Sequence, residues 1–435
     1  MEKLAQLFFL IVLAIGLGFF LFNLKRIRKN ILKGRPVSRN DQKVLRWRHV
    51  LYLALGQNKM LSKPVSGILH LVVYFGFIII NIELFEITLD GLLGTHRLFA
   101  PILGSSYAFL IGSFEILAFG VLLAAIVFWI RRNLIRLQRF WKPEMKGWPK
   151  KDADYILYFE IVLMFLFLSM NATDSLLQGQ HPDYLTAGAF PISQFLTPLF
   201  DGLSVTMLVL FERSFWWLHI LGILFFLNYL YYSKHLHILL GFPNVYYANL
   251  KPYGSFPVDG SITSEVKMLL NFPTDEGSPE EIPERFGAKD VTDLNWVQLM
   301  NAYSCTECGR CTDVCPANLS GKKLSPRKIM MDTRDRLASL DNKKEANGTE
   351  KYLLDGYISR EELWACTSCN ACVEACPIAI DPLSIIMDMR KYLVMEQSAA
   401  PAELNNMMSN IENNGAPWPY SQKDRLLWSQ ELINK

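Results

Sequence analysis

The chain has 435 residues, 51% hydrophobic and only 20% charged, with 44 Lys and Arg against 41 Asp and Glu for a net charge of +3. That composition excludes a disordered or collagen-like chain, and the net charge is too small to suggest a nucleic-acid binder. All eight cysteines fall between residues 305 and 376, which argues against a disulfide framework spread through the chain.

The first element is the apolar run Leu4 to Phe22, long enough to cross about 30 Å of hydrocarbon at ~1.5 Å per residue. One Lys precedes it and Lys25, Arg26, Arg28 and Lys29 follow, the reverse of a secretory signal, so it reads as a retained span. Apolar runs at 64–89, 107–130, 155–170 and 215–232 bring the spans to five. Between Lys25 and Lys63 there are 12 Lys or Arg against one acid, and between Arg131 and Lys151 there are eight; the loops at 90–104 and 171–213 hold one each. The positive-inside rule then places the N-terminus outside and everything after Tyr232 in the cytoplasm, with the chain in the inner (cytoplasmic) membrane. Val44 to Leu55 carries an amphipathic pattern that fits an interfacial helix.

Seven histidines are present, and three matter here. His70 lies about two turns into the second span with no polar neighbour in sequence, a costly place for an imidazole that ligates nothing. His219 lies near the outer end of the fifth span, and His237 follows 18 residues later. A helix running on past Tyr232 would put both rings on one face, about 27 Å apart, with His235 turned away. Neutral imidazoles from two helices suit the axial positions of haem b, and His70 and His237 would share one near the cytoplasmic leaflet. Glu160, one to two turns inside the fourth span, is a titratable group placed to serve a quinone reaction at the same leaflet, which takes up two electrons and two protons.

After the last span, Gly260 to Asp290 is rich in Pro, Gly and acids and reads as a partly extended linker. Two copies of C-x2-C-x2-C-x3-C-P follow: Cys305, Cys308, Cys311 and Cys315 before Pro316, then Cys366, Cys369, Cys372 and Cys376 before Pro377. Three thiolates on a tight loop hold three irons of a [4Fe-4S] cubane, and in two-cluster ferredoxins the fourth cysteine serves the other cluster. The spacing therefore assigns Cys305, Cys308, Cys311 and Cys376 to one cluster and Cys366, Cys369, Cys372 and Cys315 to a second. Structural zinc would use pairs of C-x2-C and leave the third cysteine and the proline without a purpose. Ser325-Pro326 opens a helix over 327–340 and Asp381-Pro382 one over 383–396, so the domain is expected to be helical.

These stretches resemble membrane-bound (Fe-S)-binding oxidoreductase subunits related to heterodisulfide reductase. The N-terminal half is similar to the haem-b gamma subunit of respiratory nitrate reductase. The resemblance is carried by Gly67 to Gly76 with His70, by Trp217-Leu-His219 through His237, by Ala365-Cys366 through Pro377, and by Asn410 through Trp418. It implies an all-α protein: a five-span haem-b-type bundle over 1–245, a linker over 246–290, a cytoplasmic helical domain with two [4Fe-4S] clusters over 291–400, and a tail over 401–435. It also implies a quinone-linked oxidoreductase subunit that moves electrons between a cytoplasmic partner and the membrane quinone through the clusters and haem b. In the gamma subunit a second histidine stands ten residues after the first; here that position is Ile80, so a second haem at His219 lacks its partner. Relatives with disulfide or flavoprotein chemistry have a CCG domain, absent from this sequence, so a CCG-domain protein or flavoprotein, electron-transferring flavoprotein among them, is expected as donor. The competing readings are a non-catalytic anchor or assembly protein with structural clusters and, less well supported, a transporter, for which neither an inverted repeat nor an interrupted helix pair is present.

Overall fold

Among the described residues, five helices are long and apolar enough to cross a membrane. The computed structural model describes residues 2–188, 190–256, 260–272, 285–340 and 351–433. Helix α1 spans Glu2–Ile31. Lys43–His49 (α2) runs into a widened turn over Val50–Leu55. The next three spans are α3 (Pro64–Leu93), α4 (Ser105–Asn133) and α5 (Trp148–Leu177), with Pro64 and Pro149 in first turns where a missing N–H costs nothing. The fifth, α6, is Val205–Tyr229, capped by Ser204, whose side chain accepts from the Met207 amide at 3.4 Å.

Small residues let the spans approach closely, as they must in lipid, where apolar surroundings give helices no hydrophobic reason to associate. A Cβ on Gly76 would come within 2.6 Å of Val121, and one on Gly222 within 2.7 Å of Leu163. The Asn228 amide donates to the Gly16 carbonyl at 3.0 Å, joining α6 to α1. The apolar side chains left exposed on the bundle, such as Leu4, Phe8 and Ile15 on α1, form the surface that lipid would cover.

Beyond α6 the architecture is a set of shorter helices: α7 (His237–Tyr246), α8 (Gly260–Leu269), α9 (Trp296–Ser304), α10 (Pro326–Ser339), α11 (Arg360–Ala365), α12 (Pro382–Met395) and α13 (Ala402–Asn414). Among the described residues the only β pairing is two isolated bridges, so the all-α class holds. The core of this domain takes in Ile27 and Ile31 from the end of α1 together with Leu230 and Leu236. Gly34 lies against the backbone of Asn295 and Trp296, where a Cβ would meet the Trp296 nitrogen at 2.6 Å, and the Arg35 amide donates to Leu294 at 2.8 Å.

Three sequence expectations need correction. The fifth span begins at Val205, not Phe215, because Arg213 pairs with its neighbour Glu212 and removes the charge that would have ended the apolar run. His219 therefore lies near the middle of that helix. The helix does not run on past Tyr232: Ser233 adopts an extended conformation (φ −111°, ψ 148°), so the one-face argument linking His219 to His237 and setting His235 aside does not apply. Finally, Gly260–Leu269 is helical, while 273–284 of the proposed linker lie outside the described residues. The Val44–Leu55 segment is helical and packs Val50, Leu53 and Ala54 against Val245.

Candidate metal centres

Both cysteine loops follow one backbone plan. Glu307 and Gly309 in the first, and Ser368 and Asn370 in the second, all have positive φ (54°, 77°, 54° and 61°). These left-handed residues between and after the first cysteines curl each loop around a common point, and Gly and Asn are the residues that adopt this conformation most readily. Short helices, Arg310–Asp313 and Ala371–Glu374, carry the third cysteine of each motif.

The fold crosses the fourth cysteines. Cys315 lines one cavity with Cys366, Cys369 and Cys372, closed by Leu324, Leu383 and Ile386. Cys376, for its part, lies within electrostatic reach of Cys308 and Cys311. Cys311 feels Cys308, Cys305, Cys376 and, more weakly, Cys372, so the two groups adjoin each other. All eight thiols are free of disulfides. Among the described residues no three Cys, His, Asp or Glu groups cluster as ligands of a single metal ion. A cubane spreads its thiolates over four irons and needs wider spacing, which suits the four cysteines Cys315, Cys366, Cys369 and Cys372 around one cavity. Burial pushes the Cys305 thiol up to about 12 and Cys376 up to about 11. Such thiols hold their protons at neutral pH unless a cation replaces them, and iron does so. Backbone amides point at two sulfurs, Ser368 N to Cys366 Sγ at 3.4 Å and Ile380 N to Cys376 Sγ at 3.3 Å, the outer-shell bonds that stabilise a charged cluster.

The first loop is fastened to the bundle by charge. The Glu307 carboxylate, buried between Cys305 and Cys308, binds Lys234 and also Arg334 at 2.8 Å. Burial raises the proton affinity of Glu307, but Arg334 and Lys234 outweigh it and hold the carboxyl below its usual range. Lys234 also donates to the Pro149 carbonyl at 2.5 Å, and its amide donates to Asp152 at 3.0 Å. On the other side, Arg310 donates to the Lys59 carbonyl at 2.7 Å, Lys63 pairs with Asp313 at 3.1 Å, and Arg327 pairs with Glu144 at 2.7 Å. Sequence reasoning missed this clamp. Its only signals were a lysine beside His235 and charged residues inside a cysteine motif.

Just inside the bundle, three histidines converge. His235 and His237 have ring centroids 5.2 Å apart, and both lie within electrostatic reach of His70. The Nδ1 of His70 is buried without a hydrogen-bond partner, an orphaned imidazole nitrogen on a membrane helix. The Nδ1 of His237 faces the Lys234 carbonyl at 3.3 Å, which fixes the ring and leaves Nε2 free. His70 thus has an unpartnered ring nitrogen beside the two later histidines. His219 is buried mid-helix, its Nδ1 facing the Leu163 carbonyl at 3.1 Å and its ring against Phe167, neither of which could be a second iron ligand. Glu160 stands one turn from Leu163 on α5, is partly buried, and forms no hydrogen bond or ion pair among the described residues.

Residues 304–380 match the 4Fe-4S dicluster domain family, which supports two [4Fe-4S] clusters here. Across 98% of its length the chain is 28% identical to the probable iron-sulfur-binding oxidoreductase FadF of Bacillus subtilis, covering 61% of that protein. It is 26% identical over 97% of its length to the EtfAB:quinone oxidoreductase of Syntrophomonas wolfei, covering 59% of it. Over 32% of the chain it is 31% identical to one component of the dihydromethanophenazine:CoB–CoM heterodisulfide reductase of Methanosarcina mazei, covering 35% of that component. The chain thus spans about six-tenths of the length of the first two relatives. No solved structure matches it significantly. The relatives are iron-sulfur oxidoreductases, and with five apolar spans the chain has the make-up of a membrane-bound iron-sulfur electron-transfer protein.

Proposed function

We propose that this chain is the membrane electron-transfer subunit of a quinone-linked oxidoreductase, exchanging electrons between a soluble redox partner and the quinone pool. Cys366, Cys369, Cys372 and Cys315 hold the partner-side [4Fe-4S] cluster; Cys305, Cys308, Cys311 and Cys376 hold the bundle-side one; His70 and His237 hold haem b. When bound, these groups supply one-electron redox chemistry in series. The chain's own residues set the order. Cys369 is the one exposed cysteine, which suits contact with a partner. Lys234, whose ammonium binds Glu307 in the first cysteine loop, is one residue from His235 and three from His237, so the same clamp fixes the loop and aims the histidines. The partner is a flavoprotein such as electron-transferring flavoprotein, reached directly or through a CCG-domain protein; a relative named EtfAB:quinone oxidoreductase supports this donor and this acceptor.

The domain division follows the same reading: a haem-b-type bundle over 1–245 like the nitrate reductase gamma subunit, then the two-cluster domain over 291–400. Both basic loops meet the cysteine domain, through Arg35 on one side and Arg139 and Lys63 on the other, so by the positive-inside rule that domain is cytoplasmic and the N-terminus outside.

The observation that carries this reading is the convergence of His70, with its unpartnered Nδ1, and His237 beside the clamped first loop. Anaerobically purified protein should contain about eight non-haem irons and show a dithionite-reduced haem α-band. His70→Ala should abolish that band and His235→Ala should leave it. Loss of the band in the His235 variant alone would reassign the second ligand. A wild type with clusters and no α-band would favour the non-catalytic anchor.

A further inference from the structure

At the end of the bundle opposite the cysteine domain, the loop after α3 turns Arg97 back between α3, α4 and α5. Its guanidinium donates to Asp174 (Nε to Oδ2, 2.7 Å) and to Asn171 (3.1 Å). Tyr107 accepts from Arg97 at 3.4 Å and donates to Glu86 at 2.7 Å, while Glu86 also accepts from the Phe99 amide at 2.7 Å. Asn171 extends the network to Glu115 at 3.2 Å, whose other oxygen accepts from the Ile192 and Ser193 amides. Asp90 accepts from the Arg97 and Leu98 amides and from Thr95. Asp152 and Asp174 are 22 residues apart on α5, which puts about 33 Å between this network and the clamp at Lys234.

Glu83 stands apart from this partnered set. It is 2% exposed, lies one turn before Glu86 on α3, and its Oε2 has no hydrogen-bond partner. The charged groups within electrostatic reach of it are Arg97, Glu86, Glu115 and Asp174. Arg97 is the cation at the centre and is already engaged by Asp174; the nearby Glu212–Arg213 pair balances itself, with Tyr184 donating to Glu212 at 2.8 Å. With Arg97 engaged, the unpartnered Glu83 is the carboxyl of this set that gains most from holding a proton. His96, at the rim with its side chain 19% exposed, has Nε2 3.5 Å from Asp174 and offers the connection to water.

We propose that Glu83, backed by Glu86 and Tyr107, is a proton-exchange site that supplies protons from water at the distal end of the bundle to the redox reaction inside it. The proposal rests on the reading that this bundle reduces a quinone: quinone, two electrons from the bound partner and two protons give quinol, and each proton leaving Glu83 is replaced from the distal water. The apolar cluster that contains Tyr107 also contains Phe167, which packs on His219, so the site borders the bundle interior.

The proton site can be tested without quinone. Infrared spectra of the whole protein in nanodiscs should show a carboxylic-acid C=O band that shifts in D2O, disappears in Glu83→Gln, returns displaced in Glu83→Asp and survives in Glu160→Gln. Persistence of the band in Glu83→Gln would overturn the proposal. In proteoliposomes with menaquinone and dithionite, proton uptake should come from the distal compartment. Glu83→Gln should slow quinol formation by about tenfold or more with cluster and haem spectra unchanged. Uptake wholly from the cysteine-domain side would also overturn it. A wild type that forms no quinol while keeping the Glu83 band would instead sink the quinone reading and leave the proton site standing.

Discussion

The two cysteine quartets share a backbone plan but differ in their surroundings. The loop of Cys305, Cys308 and Cys311 is held on the bundle side by Lys234 and the main chain at Lys59, and from within its own domain by Arg334 and Arg327 of α10. The loop of Cys366, Cys369 and Cys372 lies on α12, with Arg390 donating to the Cys366 carbonyl and Cys369 open to solvent. The repeat supplies two similar centres, and the contacts around them give the pair a direction: one end for a partner, the other for the membrane.

Exchanging the fourth cysteines should disturb this comparison most. Cys376→Ala should remove the bundle-side EPR signal and Cys315→Ala the partner-side signal, each leaving about four of eight irons. The opposite pattern would uncross the quartets.

Next in size is the clamp. In Lys234→Met the ammonium that neutralises Glu307 is gone, and breaking a buried pair costs about 3–5 kcal/mol, less here because Arg334 still holds the carboxylate. Iron content should be unchanged, Tm should fall, and reduction of the haem by dithionite-reduced clusters should slow. Wild-type Tm would mean that the pair does not fasten the loop. A smaller effect is expected at the α1 end of the interface. Gly34→Ala would press a methyl into the Trp296 backbone, an overpacking worth about 1–3 kcal/mol, read as a lower Tm with both clusters retained.

The quartets were legible in the sequence because a cluster loop is local: its ligands, its turn residues and its following helix lie within about a dozen positions. The same holds for α10 and α12, each opened by a cap and a proline one residue ahead of the expected start. The bundle was legible as five apolar runs but not in its polar details. Glu212 and Arg213 read as the end of a span because a sequence shows two charges, whereas the fold shows a mutual pair. The break at Ser233 was hidden because nothing nearby is a proline or glycine; the chain turns there where the Asp152 carboxylate receives the Lys234 amide, a partner 82 residues away. Arg97 and Asp174 come from different loops and helices, so only the fold shows their pairing.

Glu160 gives the subtlest test, because it asks which half of the bundle hosts quinone. Expected beside the cytoplasmic haem, it stands 12 residues from the start of α5, about 18 Å along the helix, and one turn from the carbonyl that His219 faces. A carboxyl without a hydrogen-bond or ionic partner among the described residues can hand a proton to a quinone oxygen and recover it from water. Glu160→Gln keeps the shape and removes only the exchangeable proton, so iron content and the α-band should be those of the wild type. Quinol formation in a donor-coupled assay should fall by about tenfold, with KM for quinone little changed if the group acts in proton transfer and raised if it acts in binding. Unchanged turnover would remove Glu160 from the reaction and leave the distal carboxylates as the proton source within the bundle.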